Sequence, residues 1–200
     1  MGEKSLCRIC ADHPRFRNFY SHGEEIGLGL CCEAAAELIL SQKEPMTLCP
    51  YEEECTPEEQ AFFDFRQQVF HLLQDRTKTI DDRLNALADG IVFDPFQWRS
   101  FYQNLERLDP LWGDFLQNMK EDQRRDPVAL EQLAVYFVYR HLAGGLEDGR
   151  LRERLLFAVL SVQMIRALPC DLLEAARMYS AEIEYSDENL ECILTALEKS

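Results

Sequence analysis

The chain has 200 residues, 46% of them hydrophobic and 28% charged, which excludes a disordered tail, a collagen-like chain and a low-complexity linker. Its 21 Lys and Arg against 36 Asp and Glu give a net charge of −15, a surface that repels phosphate, so a generic nucleic-acid binder and a polybasic membrane-surface protein are both disfavoured. Cysteine is unevenly spread: of eight, six (Cys7, Cys10, Cys31, Cys32, Cys49 and Cys55) fall in the first 55 positions.

Residues 1–55 read as a cysteine-rich, loop-dominated segment with one helix, from Cys31 to Ser41, rich in the helix formers Ala and Leu. Turns and extended pieces surround it, and such a segment needs packing onto a larger body or a bound metal to organise it. No secretory signal is legible near Met1. The most apolar stretch, Leu155 to Ile165, lies between Arg154 and Arg166 and is too short for a span of roughly 18 residues, so it reads as a buried helix. The expected location is the cytoplasm, where clustered cysteines serve as metal ligands or reactive thiols more often than as disulfides.

From residue 56 the pattern is helical. Thr56-Pro57-Glu58-Glu59 is a helix start with a capping box, and Phe62, Phe65, Val69 and Leu73 form its apolar stripe. Thr79 with Asp82 opens a second helix that stops near Gly90. Asp94-Pro95 begins a helix read as running to about Leu108, and Asp109-Pro110 begins a shorter one to about Lys120. Asp126-Pro127 opens a helix carrying Leu130, Leu133, Phe137 and His141, ended by Gly144-Gly145. Arg150 to Leu168 is apolar on several faces and reads as the central helix; Asp171 to Ser180 and a last helix capped by Ser186 follow. Alternating strand patterns are nearly absent, so the fold class is all-α, an irregular helical bundle over residues 56–200 packed as one domain with the first segment.

Cys7-Arg8-Ile9-Cys10 is a C-x-x-C knuckle, a spacing that turns two thiolates toward one ion. The adjacent pair Cys31-Cys32 stands at a helix start, where free N–H groups and the helix dipole favour thiolate over thiol. Together they read as two half-sites for a cluster or a metal. Buried reduced thiols and redox thiols are the competing readings. Cys49 and Cys55 form a looser pair, while Cys170 and Cys192 read as packing residues. His13 reads as a turn residue rather than a ligand, and His22, His71 and His141 as structural or surface groups. Gly27-Leu28-Gly29 lacks the third glycine and the βαβ setting of a nucleotide-binding turn and reads as a device that admits the backbone close to the helix start. No P-loop, H-E-x-x-H, G-x-S-x-G or EF-hand motif is present in the sequence.

The segment from Cys7 to Leu40, CRICADHPRFRNFYSHGEEIGLGLCCEAAAELIL, resembles a signature block of the flagellin lysine-N-methylase family, matching it at Cys7, Cys10, Pro14, Arg15, Cys32, Glu33 and Ala36. Phe65 to Leu87, Val135 to Leu142 and Tyr179 to Leu190 are similar to its later blocks at lower specificity. The resemblance implies a cysteine-ligated iron–sulfur cluster, with zinc as the alternative, and methyl transfer from S-adenosylmethionine to the lysines of a flagellin-like protein. Family members begin with a further cysteine-bearing segment upstream, so this chain reads as N-terminally short. For the metal, the candidate ligands are Cys7, Cys10, Cys31 and Cys32. The chemistry also requires a lysine amine, pKa about 10.4, to lose its proton in a desolvated pocket near an acidic or tyrosine side chain. Glu182, Glu184 and Tyr185 are of suitable type, although their position between the last two helices reads as a solvated connection. The alternative to an enzyme is a non-catalytic metal-binding or protein-interaction module derived from the same family.

Overall fold

The computed structural model describes residues 12–21, 23–48, 55–121 and 124–200. Its first regular element is an antiparallel hairpin of β1 (Arg15–Tyr20) and β2 (Gly23–Leu28), paired from Arg15 with Leu28 to Tyr20 with Gly23. The hairpin corrects the expectation of turns and isolated extended pieces. The strands alternate, but the faces they alternate between are not apolar and polar. Asn18 and Glu25 are set against the helices: Asn18 Nδ2 donates to the Tyr139 carbonyl at 3.0 Å, and Glu25 takes a two-pronged bond from buried Arg66 at 2.6 and 2.7 Å. A hydropathy pattern does not register strands whose inward face mixes the aromatic Phe16 and Tyr20 with the polar Asn18 and Glu25, the polar pair being satisfied by partners far along the chain.

The rest is helical, as the spacing predicted. The helices are α1 (Glu33–Leu40), α2 (Pro57–Leu73), α3 (Ile80–Leu87), α4 (Pro95–Gln103), α5 (Pro110–Gln117), α6 (Pro127–His141), α7 (Leu151–Ala167), α8 (Leu172–Tyr179) and α9 (Asp187–Leu197). Helix α4 ends five residues earlier than the expected Leu108, because Asn104 turns back to donate to the Ser100 carbonyl at 2.8 Å. Helix α6 ends at His141, and a 3₁₀ turn over Leu142–Gly144 leads to the single helical turn Gly145–Asp148. That turn stops at Gly149, whose φ of +72° suits glycine. Helix α8 does not end in an open connection. It runs on as a π-helical turn over Ser180–Glu184.

Helix α7 is the centre, with Phe157, Ala158, Leu160, Val162, Met164 and Ile165 all buried. It packs along α6, where the Phe137 ring meets Phe157 edge-on at 5.9 Å. Helix α1 and strand β1 also lie against α6. Among the described residues, no helix is long and apolar enough to cross a membrane.

Candidate functional site

The cysteine pair is positioned by backbone contacts. Gly29 N donates to the Pro14 carbonyl at 2.7 Å, so the chain entering β1 and the chain leaving β2 run side by side just before Cys31. The approach is close enough to exclude any side chain at residue 29: a Cβ there would stand 2.4 Å from the Tyr185 hydroxyl and 3.1 Å from the Pro14 carbonyl. This is the role the sequence suggested for Gly27-Leu28-Gly29. Cys32 is then the N-cap of α1, its carbonyl accepting from Ala36 N at 2.9 Å while its side chain makes no capping bond. Cys31 and Cys32 are both free thiols at half-buried positions.

Behind the pair lies a buried ionic cluster that hydropathy did not reveal. The π-helical turn, a rare form that often marks functional sites, points Glu182 and Glu184 into the protein; their residues are only 1% and 6% exposed. This corrects the reading of the Glu182–Tyr185 stretch as a solvated connection. Glu184 faces three side chains near the end of α6. Tyr136 Oη donates to its carboxylate at 3.0 Å, Arg140 Nε lies 3.3 Å from Oε1, and His141 Nε2 lies 2.6 Å from the same oxygen. A carboxylate only accepts, so His141 carries its proton on Nε2 and donates it. Arg140 also donates to the Tyr136 oxygen at 2.7 Å, and Leu30 N donates to that oxygen at 3.3 Å, which ties the residue before the cysteine pair into the cluster.

The electrostatics favour a charged Glu184 and a neutral His141. Burial alone would raise the Glu184 carboxyl, but the Arg140 guanidinium and the His141 hydrogen bond outweigh it and hold it below the usual carboxylate range. Burial pushes His141 down, and Glu184 only partly opposes this. Tyr185 closes the assembly on the cysteine side. Its ring covers the Arg140 guanidinium at 4.8 Å, and the His13 ring lies 6.4 Å away. Burial, and then a hydrogen bond to Cys31, push the Tyr185 hydroxyl up to about 12.

Cys31 also opens onto a cleft of about 490 Å³ shared with Asp109, Glu174, Arg177, Met178 and Glu182. Glu182 is committed there, accepting from Leu108 N at 2.9 Å and Asp109 N at 2.7 Å.

Of the four expected ligands, only Cys31 and Cys32 lie among the described residues. Cys31 and Cys32 are adjacent and free, while Cys7, Cys10 and Cys49 lie outside the described residues. Among the described residues, no group of three or more His, Cys, Asp or Glu is arranged to hold a metal ion. Cys55 donates to Gln60 Oε1 at 3.3 Å, away from the pair in sequence and in its bonding. Cys170 packs against the core, and burial raises its thiol to about 11, but Cys192 is exposed, contrary to the packing role expected of it. Sequence reasoning missed Tyr136 and Arg140 and read His141 as structural or surface. The available signal was the spacing of Tyr136, Arg140 and His141 at i, i+4 and i+5, which sets three polar groups near the end of α6. Comparison with protein-family models, with curated proteins and with solved structures found no match.

Proposed function

We propose that this chain is a flagellin lysine-N-methylase-like protein of the cytoplasm, built around a cysteine-ligated metal centre. Supporting this is the apposition of Pro14 and Gly29, 2.7 Å from carbonyl to amide, directly beside two free thiols at a helix start. Cys10 is four residues from Pro14, a length of chain that spans at most about 14 Å, so covalent geometry allows the C-x-x-C knuckle to reach the Cys31-Cys32 pair. The thiols fit such a centre chemically: they are unpaired, partly accessible and at a helix N-terminus. Cys7, Cys10, Cys31 and Cys32 would hold an iron–sulfur cluster, with zinc as the alternative. When bound, the metal would cross-link the start of the chain to the helical body.

In the reaction the lysine ammonium first gives up a proton to water, leaving the neutral amine. Its lone pair then attacks the sulfonium methyl carbon, the carbon–sulfur bond breaks, and the electron pair leaves on sulfur as S-adenosylhomocysteine. Anaerobic purification with iron, sulfide and zinc analysis tests the centre: bound iron and sulfide support the cluster, and protein without metal refutes it. Mass spectrometry of flagellin incubated with the chain and S-adenosylmethionine tests the reaction, read as 14 Da increments on lysine, about one methyl group each.

One observation favours a second reading, a non-catalytic module of the same family. Glu184, the buried carboxylate best suited to taking a proton, is already held by Arg140, His141 and Tyr136. Metal bound at full occupancy with no methyl transfer to flagellin would select this reading.

A further inference from the structure

Strands β1 and β2, the end of α1, residues 41–48 and helix α6 together border a cleft of about 430 Å³ that the proposed metal centre does not use. Its lining is mainly aromatic and aliphatic, with Phe16, Ile39, Met46, Leu48, Val135 and Tyr139 prominent. Gly27 shapes it. A Cβ at that position would run into the Phe16 ring, so glycine lets the ring lie down on the β2 backbone. There the ring meets Tyr136 edge-on at 6.2 Å and Tyr139 edge-on at 5.8 Å. Sites for small molecules are built in this way: about 300–1,000 Å³ in volume, mainly apolar, with a few placed polar groups.

The polar groups along the cleft decide which ligand fits. Tyr136 gives its hydroxyl proton to Glu184, and Arg140 and Leu30 N donate to the same oxygen. Gln132 Nε2 donates to the Glu44 carbonyl at 2.9 Å, and Gln42 Nε2 to the Leu38 carbonyl at 3.1 Å. Glu44 is the one charged residue among the described residues that line the cleft, so an anion meets a carboxylate there. A cation gains little from the rings, because Phe16 already holds the Arg140 guanidinium at 5.1 Å and Tyr139 the Arg66 guanidinium at 5.7 Å. We propose that this cleft binds a small, uncharged, mainly apolar molecule, laid between the Phe16 and Tyr139 rings and the Met46 and Leu48 side chains. A second apolar cleft, between α2, α3 and α7, is less suited, since Asp89 and Arg152 line it beside the single ring of Phe65. The inference stands apart from the metal-centre reading.

The full chain is titrated with N-phenyl-1-naphthylamine, an uncharged probe that fluoresces on leaving water. The expected result is saturable binding of one probe per chain, displaced by decanol. Decanoate and decyltrimethylammonium carry the same chain with a charge, and they displace the probe at least about tenfold less readily. Ile39→Trp fills the cleft and weakens probe binding at least about tenfold, whereas Phe65→Ser, in the second cleft, leaves it unchanged. The location is also read without any variant. Photolysis of the unaltered chain with benzophenone, another uncharged apolar probe, labels residues 39–48 or 135–139, mapped by mass spectrometry. No saturable binding, equal displacement by either charged chain, an affinity that Ile39→Trp leaves unchanged or Phe65→Ser lowers, or label confined to other stretches overturns the inference.

Discussion

Glu184 organises the candidate site because its negative charge is buried where water cannot reach it. Removing one partner from such a pair costs about 3–5 kcal/mol, since the other charge is left without compensation. Glu184→Ala strands Arg140 and deprives His141 of its acceptor, and a loss of that size is expected in urea denaturation at pH 7. Tyr136→Phe is milder. It leaves Leu30 N without its acceptor and removes one donor from Glu184, an expected loss of about 1–3 kcal/mol. Because Leu30 adjoins the cysteine pair, Tyr136→Phe also speeds alkylation of Cys31 and Cys32, and an unchanged alkylation rate counts against the coupling. A comparable buried carboxylate, Glu131, joins Arg83 at 2.6 Å and Arg76 at 2.8 Å, but it lies away from the cysteines and serves to lock α6 to α3 and the turn before it. What separates a clamp from a candidate site here is the company of Cys31 and the cleft, not the ion pair itself.

Helix starts were legible in the sequence because they are set by neighbours. Thr56, Thr79, Asp94, Asp109, Asp126 and Ser186 all accept a backbone N–H of the first turn of their own helix, as expected. Elements fixed by distant partners were not legible. The hairpin depends on Arg66 and Tyr139, and the π-helical turn on residues of α6 some forty positions away in sequence. The C-C pair at a helix start was readable for the same reason, being a local pattern, whereas Tyr185 over Gly29 is not. Thr56 gives the element-scale test. Its hydroxyl accepts from Glu59 N at 3.2 Å, and Glu59 returns a bond to Thr56 N at 3.0 Å while also accepting from Ser21 N at 2.6 Å. Thr56→Ala removes half the box, with an expected cost of about 1 kcal/mol. It also frees Glu59 to shift, so amide exchange at Ser21 quickens together with that of the first turn of α2. Faster exchange in α2 with Ser21 unchanged would mean that the hairpin end is held by other contacts.

At the scale of the molecule, three buried arginine–carboxylate links join segments far apart in sequence: Arg66 to Glu25, Arg83 to Glu131 and Arg140 to Glu184. A fold tied this way is vulnerable to acid, and groups held below their ordinary pKa set the pH window. His141 has a folded pKa below its ordinary 6.5, so as pH falls through 6.5 the unfolded chain takes up a proton that the folded chain refuses. Stability is therefore full above about pH 7 and declines below it, by up to about 1.4 kcal/mol per pH unit for this one proton. Glu184, also depressed, from 4.5, adds a second decline as pH falls below that value, and Glu59, held down to about 2 chiefly by the Ser21 hydroxyl, adds to it. Protonation also relieves the repulsion of a chain with net charge −15, which acts in the opposite direction. Exposed charges are screened within about 8 Å at 0.15 M salt, however, and buried pairs far less, so the local losses prevail. Urea midpoints measured from pH 8 to pH 4 should thus be flat above 7 and fall in two stages. His141→Gln keeps an N–H for Glu184 but cannot titrate, and it should remove the upper stage while leaving the lower. A variant that retains the decline between pH 7 and 5 would show that the proton is taken up elsewhere.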